Sequence, residues 1–399
     1  MPATVETHPR RILVLHASDE LYGSDRVLLD ILTRLDRDRL EPVVALPDDV
    51  PGGGALTEAL GRCHIDVERL ALGVLRRRYL RPDGLPLLAA HLLAARRRLS
   101  HLAADRGVEL VYSNTVAVQA GALVARRLGL PHVWHVHEIV ERPAPVARVL
   151  RWSLRANADR RIAVSRAVAD WIGVPGTRVI HNGVAEPRLA PAEREARRRE
   201  LLAGHRGPLV GWIGRISSWK GHEAFLELAR RAAACWPEAV FVMAGGAPAG
   251  SDRLVEELRA SLAADPAGGR IRYLGEVADG PRLAGSLDVL VACPTRPDPF
   301  PRVVQEALWQ GVPVLAVRTG GLPELVRDGV TGALVDRAAA DDLLAGLTGL
   351  LAGDRLTAMG AAAREDAATR FDMGRFVRQV EDELLGALGR RPGLAGAGG

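Results

Sequence analysis

The chain has 399 residues, of which 48% are hydrophobic and 25% charged, and its formal net charge is +5. This is the composition of a globular protein of two or three domains, and it excludes a disordered or fibrous chain. No apolar run reaches the roughly 20 residues of a membrane span. The first residues carry no apolar signal region, so we expect a cytoplasmic protein. Cys63, Cys235 and Cys293 form no CxxC pair, and we expect them to be buried small hydrophobic residues.

Short β-rich apolar runs alternate with helical patterns along both halves of the chain. This alternation predicts βαβ units and parallel sheets. A charged segment that contains AEREARRRE separates the two series of runs. The predicted strands are Ile12–His16, Pro42–Leu46, Leu110–Tyr112, His132–Val136, Arg161–Val164 and Val179–Ile180, then Pro208–Ile213, Ala239–Met243, Ile271–Leu274, Val289–Ala292, Pro313–Val317 and Ala333–Val335.

The predicted fold class is α/β, with two doubly wound, Rossmann-like domains. We assign residues 1–184 to the first domain, 185–205 to a linker with a short helix, and 206–370 to the second domain. Residues 371–389 form a C-terminal helix that crosses back to the first domain, and residues 390–399 a flexible tail. Ligands of such folds bind at the carboxyl ends of the strands. We therefore expect both sets of strand ends to face one cleft.

Arginine supplies 52 of the 53 cationic side chains, and Lys220 is the only lysine. Ammonium is a compact point charge and guanidinium a flat fork, so a single lysine indicates a site that needs the point charge, although chance could leave one. Arg215 and Lys220 lie in a glycine-containing loop between a strand and a helix, where free N–H groups and the helix dipole favour anions. The pair suits a diphosphate. The alternative is a surface loop with two cations.

Two further motifs follow strands of the second half. Gly320 and Gly321 let backbone approach a ligand closely, or they form a plain turn. Asp298 and Glu306 are eight residues apart around a helix start at Pro301, so both carboxylates can accept hydroxyls of a ribose and a sugar. The alternative is a helix-capping Asp298 with a solvent-facing Glu306.

In the first half, His135 and His137 share one face of a strand that ends at Glu138. A metal site would need a further ligand. We therefore assign His137 a hydrogen-bonding or acid–base role and His135 a place in the core. Gly23, with Asp25 beside it, can approach a phosphate or a sugar, although Asp25 can also be only a first-turn acid. Further residues expected to line the cleft or to bind acceptor are Asn114, Glu138 and Asn182, whereas Asp36–Asp38 is expected to be a solvated turn.

These segments resemble glycosyltransferase family 4, whose fold is GT-B. GRISSWKG and DPFPRVVQEALWQGVPVLAVRTGGLPELVRDGVTGALV resemble its nucleotide-sugar domain, and YGSDRVLLDIL, HVHE and VIHNGV resemble its first domain. The resemblance covers roughly residues 10 to 370. It implies transfer of a sugar, with retention of configuration, from a nucleoside-diphosphate sugar to a polysaccharide, a lipid-linked acceptor or a small molecule. It also implies that neither a metal nor another cofactor is needed.

The resemblance carries roles onto matching residues. Arg215 and Lys220 would hold the diphosphate and stabilise the leaving group, which is electrostatic catalysis. Glu306 would accept ribose hydroxyls and Asp298 sugar hydroxyls. The implied catalytic residues are His137, Arg215, Lys220 and Asp298, and the implied nucleotide-sugar-binding residues are Gly23, Arg215, Lys220, Asp298, Glu306, Gly320 and Gly321.

Three positions depart from the family pattern. Asp298 stands where the family usually has Glu, which moves the carboxylate back by about 1.5 Å. Pro301 and Tyr22 each stand where it usually has Gly, and proline removes a backbone donor. Because these residues bear on which sugar is held, the motifs leave the donor open.

The first half is basic, with a net charge of +7 over residues 1–200 and −2 over the remainder. Arg76–Arg78, Arg81 and Arg96–Arg98 flank the apolar stretch Leu85–Ala95. A basic apolar element is typical of peripheral contact with an anionic membrane, here at its inner face. The alternative is an ordinary helix with arginines on its wet face.

Other functions were weighed against glycosyl transfer. A non-hydrolysing nucleotide-sugar epimerase shares the two-domain architecture but uses no acceptor. A phosphorylase would need a lysine for pyridoxal phosphate, for which Lys220 is the only candidate. A periplasmic-type sugar-binding protein would need a signal peptide. Nucleic-acid binding is not expected, because only 4% of the chain is aromatic.

Overall fold

The computed structural model describes residues 8–389 except 51–52, 82–83, 187–188, 248–251, 264, 266 and 268. It divides into two compact units, Met1–Gly183 with Gly374–Gly399 and Val184–Met373. Each unit contains one all-parallel sheet with helices between successive strands. The predicted α/β class with two doubly wound domains is thereby confirmed, whereas the predicted tail 390–399 lies outside the described residues.

The first unit contains a seven-stranded sheet of order β3-β2-β1-β4-β5-β6-β7. Strands β2 and β3 are added on one side of β1, and strands β4 to β7 are added on the other. The strand order therefore reverses between β1 and β4, which is the switch point at which doubly wound folds bind ligands. The strands are β1 Arg10–Leu15, β2 Leu40–Pro47, β3 Val67–Leu70, β4 Leu110–Ser113, β5 His132–Val136, β6 Arg160–Ala163 and β7 Arg178–Val179, and the helices are α1 Gly23–Leu32, α2 Ala55–Arg62, α3 Gly84–Asp105, α4 Ala120–Leu128, α5 Ala144–Asn157 and α6 Arg166–Ile172.

The second unit contains a six-stranded sheet of order β10-β9-β8-β11-β12-β13, in which β8 and β11 mark the switch point. Its strands are β8 Leu209–Ile213, β9 Val240–Ala244, β10 Ile271–Tyr273, β11 Val289–Ala292, β12 Val314–Val317 and β13 Gly332–Val335. Its helices are α7 Pro191–Leu202, α8 His222–Cys235, α9 Asp252–Ala263, α10 Gly280–Gly285, α11 Arg302–Trp309, α12 Leu322–Leu325, α13 Ala340–Leu351 and α14 Arg355–Arg370, and the chain ends in α15 Met373–Leu388.

The central strands are buried on both faces, as parallel strands covered by helices must be. Ile12, Leu13, Val14 and Leu15 of β1 are all fully buried. Branched and aliphatic residues favour a pleated, enclosed strand, which explains why these runs could be recognised from sequence. The loops described below follow the carboxyl ends of these buried strands, so each sheet positions its loops.

The last helix, α15, belongs to the first unit. Its Glu381 accepts a hydrogen bond from the backbone N–H of Asp36 at 2.6 Å, and its Glu383 pairs with Arg160 at 2.9 Å. Phe376 lies close to the His135 ring. The expected return of the C-terminal helix to the first domain is confirmed by these contacts.

Two features differ from expectation. Strand β3 was not predicted, because it is an edge strand of sequence VERL whose central Glu68 and Arg69 are exposed. Cys63 and Cys235 are exposed and only Cys293 is buried, so the expectation of three buried cysteines is wrong for two. Both exposed cysteines lie at the ends of helices, where the chain turns towards solvent. In the described ranges, no helix combines the length and apolarity that a bilayer crossing requires.

Candidate active site

In the second unit, the predicted site residues lie in loops that follow three neighbouring strands. Strand β11 pairs with β8 on one side and β12 on the other, all parallel. Lys220 follows β8, Asp298 follows β11, and Gly320 follows β12. Because carboxyl ends of parallel strands share one edge, the sheet gathers these loops; we call the set of loops 214–221, 293–301 and 318–321 the donor edge.

Lys220 and Asp298 form an ion pair at the donor edge. The Nζ atom of Lys220 lies 2.6 Å from Oδ2 of Asp298, and it also lies 4.5 Å from the centre of the Trp219 ring. The Lys220 side chain is 24% exposed and that of Asp298 is 8% exposed. Lys220 directly precedes Gly221, which caps the amino end of α8. The ammonium is therefore held at a helix terminus that attracts anions, with its remaining donors open to a ligand.

Hydrogen bonds hold the loop that contains Lys220 against the loop after β11. The Thr295 N–H donates to the Trp219 carbonyl at 2.8 Å, and the Cys293 thiol donates to the Gly221 carbonyl at 3.2 Å. Gly221 has φ +84°, and a Cβ there would lie 1.8 Å from the Cys293 carbonyl oxygen. Only glycine fits this contact, so the close approach of the two loops explains the glycine after Lys220.

Gly320 and Gly321 hold the third loop against the second. The Gly321 N–H donates to the Asp298 carbonyl at 2.8 Å. A Cβ on Gly320 would lie 2.1 Å from that same carbonyl oxygen, and one on Gly321 would lie 2.1 Å from the carbonyl oxygen of Pro299. Both glycines therefore serve a loop-to-loop contact that positions Asp298. Their predicted contact with the donor stays a prediction.

Glu306 lies one turn inside α11, for which Pro301 is the capping residue. Its Oε1 accepts a hydrogen bond from Arg302 Nε at 2.9 Å, and only 7% of the residue is exposed. Asp298 is 6% exposed and binds Lys220. The alternative of a helix-capping Asp298 with a solvent-facing Glu306 is therefore wrong. Arg215, in contrast, is exposed in the first loop.

In the first unit, three polar residues follow three neighbouring strands. His16, Asn114 and His137 come directly after β1, β4 and β5, which pair in that order. Asn114 Oδ1 lies 3.0 Å from His137 Nε2, and Asn114 Nδ2 lies 3.3 Å from His16 Nδ1. The opposite nitrogen of His16 lies 2.7 Å from Oδ1 of Asp25. We call Asp25, His16, Asn114 and His137 the histidine network.

The hydrogen bonds of the histidine network fix where the protons lie. Asp25 Oδ2 accepts from the Tyr22 N–H at 2.9 Å, so its Oδ1 is left to accept from His16 Nε2–H. The carbonyl oxygen of Asn114 can only accept, so His137 must donate from Nε2. His137 therefore keeps its Nδ1 lone pair as its remaining acceptor. Asp25 is almost fully buried, so it is more than a first-turn acid.

Burial sets the protonation of the groups around this network. Burial lowers the pKa of His137 well below its usual value, and the neighbouring rings of His135 and His16 lower it further. Burial also lowers the pKa of His135 to about 3, and this residue lies in the core as expected. Burial raises the pKa of Glu138, although Thr115 and backbone N–H groups bind its carboxylate. His137 is therefore a neutral hydrogen-bonding group at neutral pH.

The remaining predicted residues of the first unit have distinct surroundings. A Cβ on Gly23 would meet nothing within 4 Å, so Gly23 leaves open space at the start of α1. Tyr22, before it, has φ −84°, which any residue adopts, so the missing glycine of the family pattern causes no strain. Asn182 is 5% exposed just after β7. Across the part of the chain that the structure describes, no group of three or more His, Cys, Asp or Glu could hold a metal ion.

Comparison with known proteins assigns the family. Residues 22–187 match the family described as Glycosyltransferase Family 4, and residues 193–366 match Glycosyl transferases group 1. A relative from Mycolicibacterium gilvum (strain PYR-GCK), named D-inositol 3-phosphate glycosyltransferase, is 30% identical over 402 residues, covering 98% of this chain and 86% of that protein. The chain belongs to glycosyltransferase family 4. The expected membership of this family, drawn from the motifs, is thus confirmed.

Other similar proteins differ in how much of this chain they match. A relative with the same name from Mycobacterium sp. (strain KMS) is 38% identical over 195 residues, which cover 48% of this chain and 43% of that protein. With several such relatives the chain spans only about half of their length. The Anabaena protein Alr3699/HepE, solved in complex with UDP, is 28% identical with a TM-score of 0.80, covering 94% of this chain and 100% of that one. The same protein was also solved with UDP-glucose.

Several residues of this family 4 protein escaped sequence reasoning. His16 and Tyr112 both bond Asn114, although they are about a hundred residues apart in the chain, because β1 and β4 are neighbours in the sheet. Arg302 binds the Glu306 carboxylate. The sequence indicates this contact, because the two residues are four apart on one helix, the spacing at which Arg and Glu pair. His16 could have been found from its position, because it is a polar residue directly after an apolar strand.

Proposed function

We propose that the protein transfers a sugar, with retention of configuration, from a nucleoside-diphosphate sugar to an acceptor hydroxyl. The observation that carries this proposal is the Lys220–Asp298 pair at the amino end of α8, with the buried carboxylate of Glu306 on helix α11, which follows the Asp298 loop. The point charge of Lys220 and the amino end of α8 suit a diphosphate, and the buried carboxylates of Asp298 and Glu306 suit hydroxyl groups. Membership of family 4 and the UDP complexes of a relative support the same donor class.

In the proposed reaction, the bond between the anomeric carbon and the diphosphate oxygen breaks. The acceptor oxygen bonds to the same face of the carbon, and its proton passes to the departing phosphate oxygen. Lys220 and Arg215 stabilise the negative charge that develops on the diphosphate. Glu306 accepts from ribose, Asp298 from the sugar, and neutral His137 contacts the sugar. Because two cations neutralise the leaving group, the proposal includes no metal, and chelation is expected to leave the rate unchanged.

The acceptor that we propose carries an anionic group. Residues 1–200 have a net charge of +7, which favours an anionic partner. Relatives are named for D-inositol 3-phosphate, a small phosphorylated polyol. A small phosphorylated alcohol is therefore the first acceptor to test, and a lipid-linked acceptor is the second.

Thermal unfolding with UDP, GDP, dTDP and ADP and their sugars tests the donor assignment. We expect one nucleotide series to raise the melting temperature, since a ligand at a hundred times its Kd stabilises the fold by about 2.7 kcal/mol. Glu306→Gln should lose most of this response, because an amide accepts ribose hydroxyls less strongly than a carboxylate. The matched control is Glu227→Gln, which breaks an exposed Arg–Glu pair of the same spacing on α8.

The outcomes separate the candidates. An undiminished response in Glu306→Gln would remove its role at the ribose. Failure of every nucleotide to shift the unfolding would contradict the donor class. Conversion of the donor to an epimer without any acceptor would identify an epimerase instead.

We also propose that the first unit contacts an anionic membrane from the cytoplasmic side. On α3, Leu85, Leu87 and Leu93 are each more than half exposed. On α5, Val149 and Trp152 are 62% and 65% exposed. Helix α4 contacts both α3 and α5, so the two faces belong to one helical layer. Apolar side chains of this kind insert at the lipid interface.

The charges on these helices complement anionic lipid. Helix α5 carries three exposed arginines, Arg148, Arg151 and Arg155, and contains no acidic residue. The basic flank expected from sequence is smaller, because Arg76 and Arg78 are both paired with Asp49. The arginines of α5, which sequence reasoning missed, provide the charge instead.

Co-sedimentation with vesicles that contain anionic lipid tests the membrane contact. Arg148→Gln with Arg151→Gln should weaken binding about thirtyfold, since each arginine near the surface contributes about 1 kcal/mol. Trp152→Ser should weaken it as well, whereas Val330→Ser, which removes an exposed apolar residue of the second unit, should not. Absence of binding at low salt, or equal loss in the control, would contradict the contact.

A further inference from the structure

A cavity of about 340 Å³ opens on the second unit away from the donor edge. Asp288 and Pro313, which directly precede β11 and β12, line it. These are the amino ends of the same strands whose carboxyl ends carry the donor-edge loops. Its volume is at the lower end of the range for small-molecule sites. The cavity is therefore separated from the donor edge by the length of the sheet.

Three guanidinium groups surround one carboxylate at this cavity. Arg194 and Arg364 line it together with Asp288. Arg198, on the same helix as Arg194, lies 3.0 Å from Oδ2 of Asp288, and this oxygen also accepts the Leu209 N–H at 2.8 Å. Asp288 therefore already has partners. The three arginines leave a surplus of positive charge around it.

Of these three arginines, Arg194 makes the fewest polar contacts. Arg198 donates to the Ser286 carbonyl at 2.8 Å, and Arg364 donates to the Gln310 carbonyl at 3.0 Å. Arg194 is half-buried and has neither a hydrogen-bond nor an ion-pair partner within the described ranges. Burial and the charges of Arg198 and Arg364 lower the pKa of Arg194 by more than the carboxylates of Asp288 and Glu195 raise it. A half-buried cation beside two other cations favours an anion that can pair with it.

We infer that this cavity binds a small phosphate-bearing molecule through Arg194 and Arg364. Guanidinium forks match phosphate oxygens with paired, charge-assisted hydrogen bonds. Thr357, in the first turn of α14, also lines the cavity and can supply a hydroxyl. Arg194 lies on α7 and Arg364 on α14, so a bound phosphate bridges the first helix of the second unit to its last one. This site is independent of the proposed transfer reaction.

Calorimetric titration of the full chain with inorganic phosphate and with a hexose 6-phosphate, at constant ionic strength, tests the inference. We expect binding, and we expect Arg194→Gln to weaken it about tenfold or more, because a charge-assisted hydrogen bond is lost. Arg194→Gln should not lower the melting temperature, since the described residues give this side chain no partner to lose. The matched control is Arg253→Gln, which removes an exposed arginine of α9.

Lys220→Ala distinguishes this cavity from the donor edge, because it should leave phosphate binding unchanged whatever it does to nucleotide binding. Three results would overturn the inference: no binding of either probe, equal affinity in Arg194→Gln and the parent, or loss of binding in Lys220→Ala. The last result would place the phosphate at the donor edge. Failure of the nucleotide titrations alone would leave the inference standing.

Discussion

Replacing Lys220 with alanine should lower the rate of sugar transfer by about a hundredfold to a thousandfold. In the proposed reaction its ammonium stabilises the departing diphosphate, and loss of one such donor costs about 2.7–4 kcal/mol at comparable sites. The chain contains no second lysine, and the nearest cation in the same loop, Arg215, is exposed. Steady-state rates at saturating donor would measure the effect on kcat.

The same variant leaves the nearly buried carboxylate of Asp298 without its 2.6 Å partner. An unpaired buried charge destabilises a fold, so melting temperature must be followed together with rate. Lys220→Ala combined with Asp298→Asn removes both charges and should recover stability but not activity. A single variant that is folded and retains the parental kcat would refute the role of Lys220.

Asn114→Ala should lower both stability and rate. Asn114 bonds His137, His16 and Tyr112, all by side-chain contacts within 3.3 Å. Each buried polar group left without a partner costs about 1–3 kcal/mol. In the proposed reaction His137 contacts the sugar. Loss of the hydrogen bond between its Nε2 and Asn114 leaves the ring free to move, and such a displacement costs on the order of a hundredfold in rate. Thermal unfolding and single-turnover rates at a temperature where the variant is folded would measure the two effects.

Ser113→Ala is the matched control for Asn114→Ala. Ser113 is the neighbouring residue, fully buried, and its hydroxyl lies 2.9 Å from His132 Nε2 in a separate contact. Its loss should destabilise the first unit comparably without changing the rate of the folded enzyme. Equal rate losses in both variants would mean that Asn114 acts only on stability. A shift of the proton on His137, seen in its ring nitrogen signals for Asn114→Ala alone, would show the positioning role directly.

Sequence patterns predicted the fold well where a physical signal is local. Buried strands such as β1 and β12 read as apolar runs because both faces are covered. The edge strand β3 lacked that signal, because two of its four residues are exposed. Cys63 and Cys235 were misjudged because residue type alone does not show that a helix ends there.

The site shows the same limit. The position of each loop could be predicted, because ligand-binding residues follow strands and the motifs lie there. The pairing of Lys220 with Asp298, 78 residues away, needs the order of strands in the sheet. The pairing of Arg76 and Arg78 with Asp49 is equally non-local, and the single carboxylate offsets one of their two charges on the surface expected to meet lipid.

The contact of Gly320 and Gly321 with the Asp298 loop limits how such enzymes can be recombined. Each glycine faces a main-chain oxygen of the other loop at a distance that admits no side chain. A graft of residues 318–321 from another enzyme would collide with its host unless the partner loop were transplanted as well. Engineering of sugar preference at Asp298 should therefore treat residues 293–301 and 318–321 as one exchangeable cassette.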